Sequence, residues 1–464
     1  MSGDRLSPLD SSFLHVEDDV SHMHIASVAI FEGPQPAFSD VVSMVRGKLP
    51  LVPRYRQVVS FVPFDLGRPV WVDDPHFNIS YHLRQTALPA PGGEEELRRL
   101  VGRVMSQQLD RTKPLWEIWV VQGLEDGRWA MMSKTHHCMV DGVSGTDLLA
   151  ITLDVSPEGS DPVPDDWQPQ TPPSKADLVR TAITERARSP YELVRSLRSA
   201  TRLPRQTFGA LADIAKGLRA MSGLIAPTEP SSLNGPIGPH RRWAWASTTV
   251  DDIKRVRKST NATFNDVVLA AATRGFRDLL LSRGESVDRV VRTLVPVSVR
   301  PRDTSGRAVG DGTFENRVSA MFAELPVGIE DPLERLGNIS AQMAGLKESK
   351  QAVAGEALTA LSGFGPPMLL ALGTRIVTRV PQRNINTVTT NVPGPQMPLY
   401  AAGRRMLKAY PYVPLAGSVR VGVAIFSYDG QVNFGITGDY DTAPDIDVLC
   451  RGIEDGMTEL LNIT

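Results

Sequence analysis

Cysteine is nearly absent from this chain: Cys138 and Cys450 are the only two in 464 residues, too few for a disulfide framework and in keeping with free thiols in a cytoplasmic protein. The N-terminus, Met1-Ser2-Gly3-Asp4-Arg5, has no basic start followed by an apolar core, so no secretory leader is expected there. Long hydrophobic runs are missing as well. The least charged stretch, Ala357 to Thr374, is broken by Gly363, Gly365 and the Pro366-Pro367 pair and closed by Arg375, a poor membrane span. Any membrane contact is therefore expected to be peripheral. An excess of one charge is also lacking, since 50 Lys and Arg stand against 52 Asp and Glu, which excludes a polybasic nucleic-acid binder. None of the eight histidines lies beyond His240, so a histidine base must come from the first half.

What is there is an ordinary globular composition, 41% apolar and 22% charged, on a chain long enough for two domains of roughly 150 to 250 residues each. Strand and helix signals alternate, which predicts a mixed α/β (α+β) protein. Met23 to Phe31 reads as a strand, Phe38 to Leu49 and Glu94 to Leu109 as helices. Leu115 to Leu124 and Trp129 to His137 read as strands joined at Glu125-Asp126-Gly127, so that His137 ends a strand. From Ser156 to about Pro173 the chain is rich in Pro, Asp and Ser, and from Thr171 to Ser222 it carries ten Lys or Arg against four acids, an excess of six on helix-like segments. That basic stretch is either a solvated connector or a face for an anionic lipid surface. Beyond it come a strand at Trp243 to Thr249, a helix at Asn265 to Leu281, strands at Val290 to Val299, Ile385 to Asn391, Val419 to Ser427 and Gln431 to Thr437, and a final helix from Pro444. The expected division is 1–155, a linker and connector over 156–240, and 241–464.

The chemistry concentrates at His136-His137-Cys138-Met139-Val140-Asp141-Gly142. A reaction that must take a proton from a poor nucleophile needs a base that works near pH 7, and imidazole suits it. Along Trp129 to His137, odd and even residues face opposite ways, so only one of His136 and His137 can serve one reacting atom. The same parity argues against the pair chelating a metal. Asp141 could order the following loop by accepting backbone N–H bonds or pairing with an arginine, or could form a dyad with the histidine. Ser144, in Gly142-Val143-Ser144-Gly145-Thr146, lacks the glycine a nucleophile elbow needs at 146, and Cys138 being next to His137 in sequence does not place its sulfur near an imidazole. No covalent acyl-enzyme is expected.

The His136 to Gly142 segment matches the H-H-x-x-x-D-G signature of the CoA-dependent acyltransferase superfamily. Further segments narrow the match: Pro8-Leu9-Asp10 with Phe13-Leu14, Pro114-Leu115-Trp116-Glu117, Asn234-Gly235-Pro236, Asn265-Asp266-Val267, Pro296-Val297-Ser298 with Arg300, and Asn391-Val392-Pro393-Gly394-Pro395. Spread over nearly the whole chain, they resemble the bacterial wax ester synthase/diacylglycerol acyltransferases, in particular the mycobacterial-type triacylglycerol synthases. One departure is Glu315-Asn316, where the family pattern has Gly-Asn. The resemblance implies two chloramphenicol acetyltransferase-like domains with an active-site channel between them. It implies His137 as proton acceptor, His136 as support, and Asp141 with Gly142 holding the loop. It places Pro114, Leu115 and Trp116 along a substrate pocket and Asn265, Asp266 and Asn391 near the channel; Arg300 is the candidate partner for Asp141. Each of these motifs has a plainer structural reading as a strand start, a helix cap or a turn. No cofactor is implied, long-chain acyl-CoA being a substrate. The acceptor expected is diacylglycerol, giving triacylglycerol. The alternatives are a fatty alcohol, giving wax, or a lipid-surface binding protein without turnover. Contact with the inner membrane or lipid droplets goes with any of these.

Overall fold

The computed structural model describes residues 4–139, 151–185, 228–298, 318–348 and 384–463. Two six-stranded mixed sheets dominate it, with a small three-stranded sheet of Asp4–Arg5, Val70–Asp73 and Gln57–Ser60 beside the first. The first large sheet runs Tyr400–Ala401, Arg404–Tyr412, His24–Phe31, Trp129–His136, Trp116–Gln122, Leu83–Ala87 from edge to edge. The expected hairpin forms, with Asp126 and Gly127 at φ 60° and 67°, the left-handed values a tight reversal requires. Strand period 2 sorts the side chains: Ala29, Phe31, Trp129 and Met131 join a cluster with Val41 and Val45 of the Phe38–Lys48 helix. Val28, Ile30, Ala130 and Met132 pack instead with Leu97, Leu100, Val101 and Val104 of the Glu94–Met105 helix.

The second large sheet runs Val318–Leu325, Val291–Ser298, Thr387–Pro393, Val421–Tyr428, Gln431–Asp439, Arg241–Thr249. The helices Val250–Thr260, Phe264–Ser282, Pro332–Glu348 and Ile446–Asn462 contribute to the core on one of its faces, with Ala244 and Ala246. Helices Phe264–Ser282 and Ile446–Asn462 cross closely at Gly275, Gly452 and Gly456: a Cβ on Gly452 would stand 2.7 Å from the Gly275 Cα. The opposite face meets the first half, since Trp243 and Trp245 join the cluster of the Glu94–Met105 helix.

The two sheets are linked by chain from beyond residue 241. Strands Tyr400–Ala401 and Arg404–Tyr412, absent from the sequence reading, leave the second half and extend the first sheet, Arg404–Tyr412 pairing antiparallel with His24–Phe31. There, Asn433 Nδ2 donates to Ala409 O (2.9 Å) and Trp243 Nε1 to Pro411 O (3.2 Å), so side chains of the second sheet tie this strand of the first to it.

Candidate active site

The helix Pro8–Val16 forms the wall over the histidine pair. Ser7 caps it, its Oγ accepting from the Asp10 N–H (3.0 Å), and Pro8 fits the first turn where no N–H is needed. The helix packs against the single 3₁₀ turn His137–Met139, where Leu14, Leu109, Leu115 and Cys138 form a small core. Strand Trp129–His136 stops one residue short of the expected end, and His137 opens the turn, its N–H donating to Met23 O (2.8 Å).

The two imidazoles take separate directions. His137 stacks on Phe13, centroids 4.0 Å apart and planes 28° apart, and its Nδ1 is buried with no hydrogen-bond partner among the described residues. Burial pushes its pKa down to about 4, with the neighbouring His136 adding to the shift, so the ring is neutral around pH 7 and able to take a proton. His136 lies in a fully covered layer: its Nδ1 accepts from the Cys138 N–H (3.1 Å) and its Nε2 lies 3.5 Å from Glu17 Oε2.

Glu17, which sequence reasoning missed, caps the end of the Pro8–Val16 helix through its N–H to Phe13 O (3.1 Å) and turns its carboxylate inward, 4% exposed. Arg111 grips Oε2 through Nε (2.9 Å) and Nη2 (2.6 Å), and His24 Nε2 approaches Oε1 at 3.1 Å. Burial alone would raise this carboxyl; the imidazoles of His136 and His24 beside it outweigh that and hold the group well below the usual carboxylate range. His24 itself is pushed down to about 3 by burial. Lys134, two residues before His136 and on the same face, is brought to about 8 by burial and donates to the carbonyls of Val104 (3.0 Å) and Gln107 at the end of the Glu94–Met105 helix. Arg241 of the second half donates to Val20 O in the loop between Glu17 and Met23, so this layer abuts the junction of the halves. Among the described residues no group of three or more His, Cys, Asp or Glu is arranged to hold a metal ion.

Cys138 is buried and its thiol is pushed well above the ordinary range, which leaves no thiolate for nucleophilic attack. Pro114, Leu115 and Trp116 are all buried. Leu115 O accepts from the His136 N–H (3.0 Å), anchoring the strand end. Trp116 has no exposed surface, stacks on His82 at 4.4 Å and donates its Nε1–H to Tyr55 O (2.8 Å). The indole of Trp116 is thus held between His82 and Tyr55. Asp266 is the third residue of a capping box, its Oδ2 accepting from the Thr263 N–H (2.9 Å) and the Ser340 hydroxyl (2.9 Å). Asn265 Oδ1 accepts from Asn391 Nδ2 (3.3 Å), uniting two residues far apart in sequence. Val392, next to Asn391, and Met139, in the turn of His137, pack on one hydrophobic cluster. Asp141, Gly142, Ser144, Arg300 and Glu315-Asn316 lie outside the described residues, as does the basic stretch from 186 to 222.

The two six-stranded mixed sheets have the fold of synthetase condensation domains. The first condensation domain of the calcium-dependent antibiotic synthetase matches over 99% of this chain and 97% of its own at 16% identity, TM-score 0.61. The pattern of the wax ester synthase/diacylglycerol acyltransferase catalytic domain matches residues 6–268, and that of the WS/DGAT C-terminal domain residues 314–461. The chain belongs to the wax ester synthase/diacylglycerol acyltransferase family and is an acyltransferase. A probable diacylglycerol O-acyltransferase, tgs1, of Mycobacterium tuberculosis and a putative one of Mycobacterium bovis are each 38% identical, covering 99% of this chain and 96% of theirs. The structure of a wax ester synthase/diacylglycerol acyltransferase from Marinobacter aquaeolei VT8 aligns over 98% of both chains, at 26% identity and TM-score 0.68.

Proposed function

We propose that this enzyme joins a long-chain acyl group from acyl-CoA to diacylglycerol, releasing triacylglycerol and free CoA, with His137 as general base. The observation that carries the reading is a neutral His137 ring held against Phe13, its Nδ1 without a hydrogen-bond partner among the described residues. His137 removes the hydroxyl proton as the acceptor oxygen attacks the thioester carbonyl. The C–S bond then breaks, and the departing CoA sulfur takes the proton. With Cys138 protonated and buried, the transfer is direct, without an acyl-enzyme.

Diacylglycerol as acceptor follows the names of the mycobacterial relatives, which are similar along their whole length. A long-chain alcohol is the second reading, favoured by the name of the Marinobacter structure. No helix among the described residues is long and apolar enough to cross a membrane, and diacylglycerol is too apolar to reach an enzyme through water. Collection from a membrane or lipid-droplet surface by peripheral contact is therefore part of the proposal. Labelled palmitoyl-CoA offered diacylglycerol and hexadecanol in competition tests it: triacylglycerol should be the main labelled product. Wax as the main product would overturn the acceptor assignment, and release of free acid alone would overturn the transfer.

A further inference from the structure

The geometry points to Glu17 as a positioning residue for His137, acting through His136. This rests on His137 being the base.

His136 Nδ1 accepts from the Cys138 N–H at 3.1 Å, so that nitrogen carries a lone pair and the ring proton sits on Nε2. The Nε2 side is closed from water and its closest acidic neighbour is Glu17 Oε2, 3.5 Å away. An anion there stabilises the Nε2–H tautomer, since the other tautomer would turn a lone pair toward the carboxylate and an N–H toward the Cys138 N–H. The carboxylate is in turn fixed by two bonds from Arg111 and one from the Met23 N–H (3.3 Å), and it faces His24 Nε2 at 3.1 Å. Cys138 lies in the His137–Met139 turn, so the His136–Cys138 bond fixes the backbone that aims His137. His137 is tied at the other side by its N–H to Met23 O, and Met23 N–H is the one that reaches Glu17. Glu17 thus touches both supports of the turn without touching the reacting atoms. Its place at the C-terminal cap of the Pro8–Val16 helix also couples it to Phe13, whose carbonyl it caps and whose ring covers His137.

A residue needed only for folding would not set a ring tautomer, nor lose its effect when His136 is removed. The first measurement uses the unmodified enzyme with ¹⁵N-labelled histidine: His136, identified by the resonance lost in His136→Ala, should show a protonated Nε2 and an unprotonated Nδ1. A protonated Nδ1 overturns the proposal. The second is a double-mutant cycle in turnover. Glu17→Gln should lower kcat by on the order of 10²-fold, as small misplacements of a base do, with KM for acyl-CoA changed less than about twofold. In the His136→Ala background the same change should cost less than about threefold. Equal losses in both backgrounds overturn the proposal. Failure of the base assignment is seen separately, as wild-type kcat in His137→Ala.

Discussion

The imidazole of His137 lies against the phenyl ring of Phe13 at a centroid distance of 4.0 Å, and this contact is what keeps water from one face of the proposed base. Removing it should let the ring charge more easily. Phe13→Ala is expected to move the acid limb of kcat/KM from about pH 4 up toward the ordinary histidine value of 6.5. The pH–rate profiles of the two enzymes, measured side by side, check this.

His137→Ala should lower turnover by about 10² to 10⁴, the usual range for loss of a general base, while acyl-CoA binding measured by calorimetry stays close to wild type. His136→Ala should reduce turnover less, because that ring supports the turn and does not meet the acceptor. Equal losses would remove the distinction between the two histidines.

Cys138→Ala should keep most of the activity, and no acylated protein should appear by mass spectrometry after mixing with acyl-CoA alone. The buried, protonated thiol packs among Leu14, Leu109 and Leu115, so its loss costs packing and not chemistry.

Stability should decline on the acid side. His137, at about 4 when folded, has an ordinary value of 6.5, so the unfolded chain takes up a proton that the folded chain refuses. The stabilisation is whole above pH 6.5 and is lost as pH falls toward 4, on the order of 3 kcal/mol for this group. His24, at about 3, and His82, at about 4, push in the same direction. Denaturant midpoints recorded between pH 7 and 4 should show the fall.

Gly435 backs directly onto Pro411, and a methyl group on it would overlap the Pro411 carbonyl oxygen. Gly435→Ala should therefore force the two sheets apart locally and cost roughly 1 to 3 kcal/mol, as overpacked sites do. Thermal unfolding provides the measurement, and an unchanged midpoint would show that the strand can shift.

Much of this was readable from the chain. The Asp126-Gly127 reversal and the strands around it follow from local turn chemistry and strand period, which depend on neighbours in sequence. Glu17 was not readable, because its partners Arg111 and His136 are brought to it only by the packing of separate elements. Nothing local marks an acid at a helix end as a buried hub. The packing of Trp116 on His82 and Tyr55 was not readable either, because both partners come from other elements. Strand Arg404–Tyr412 was invisible because Arg405, Lys408 and Pro411 interrupt its apolar pattern, and its partner lies at the other end of the chain.

That strand bears on how the molecule comes into being. On the ribosome, His24–Phe31 can pair with Trp129–His136 early, but its other edge stays open until Tyr412 has emerged. An exposed edge of this kind invites pairing with other chains. A fragment ending near residue 240 should thus be sticky and incompletely folded, however complete its histidine motif, and co-expression of the remaining half should rescue its solubility by supplying the missing strand.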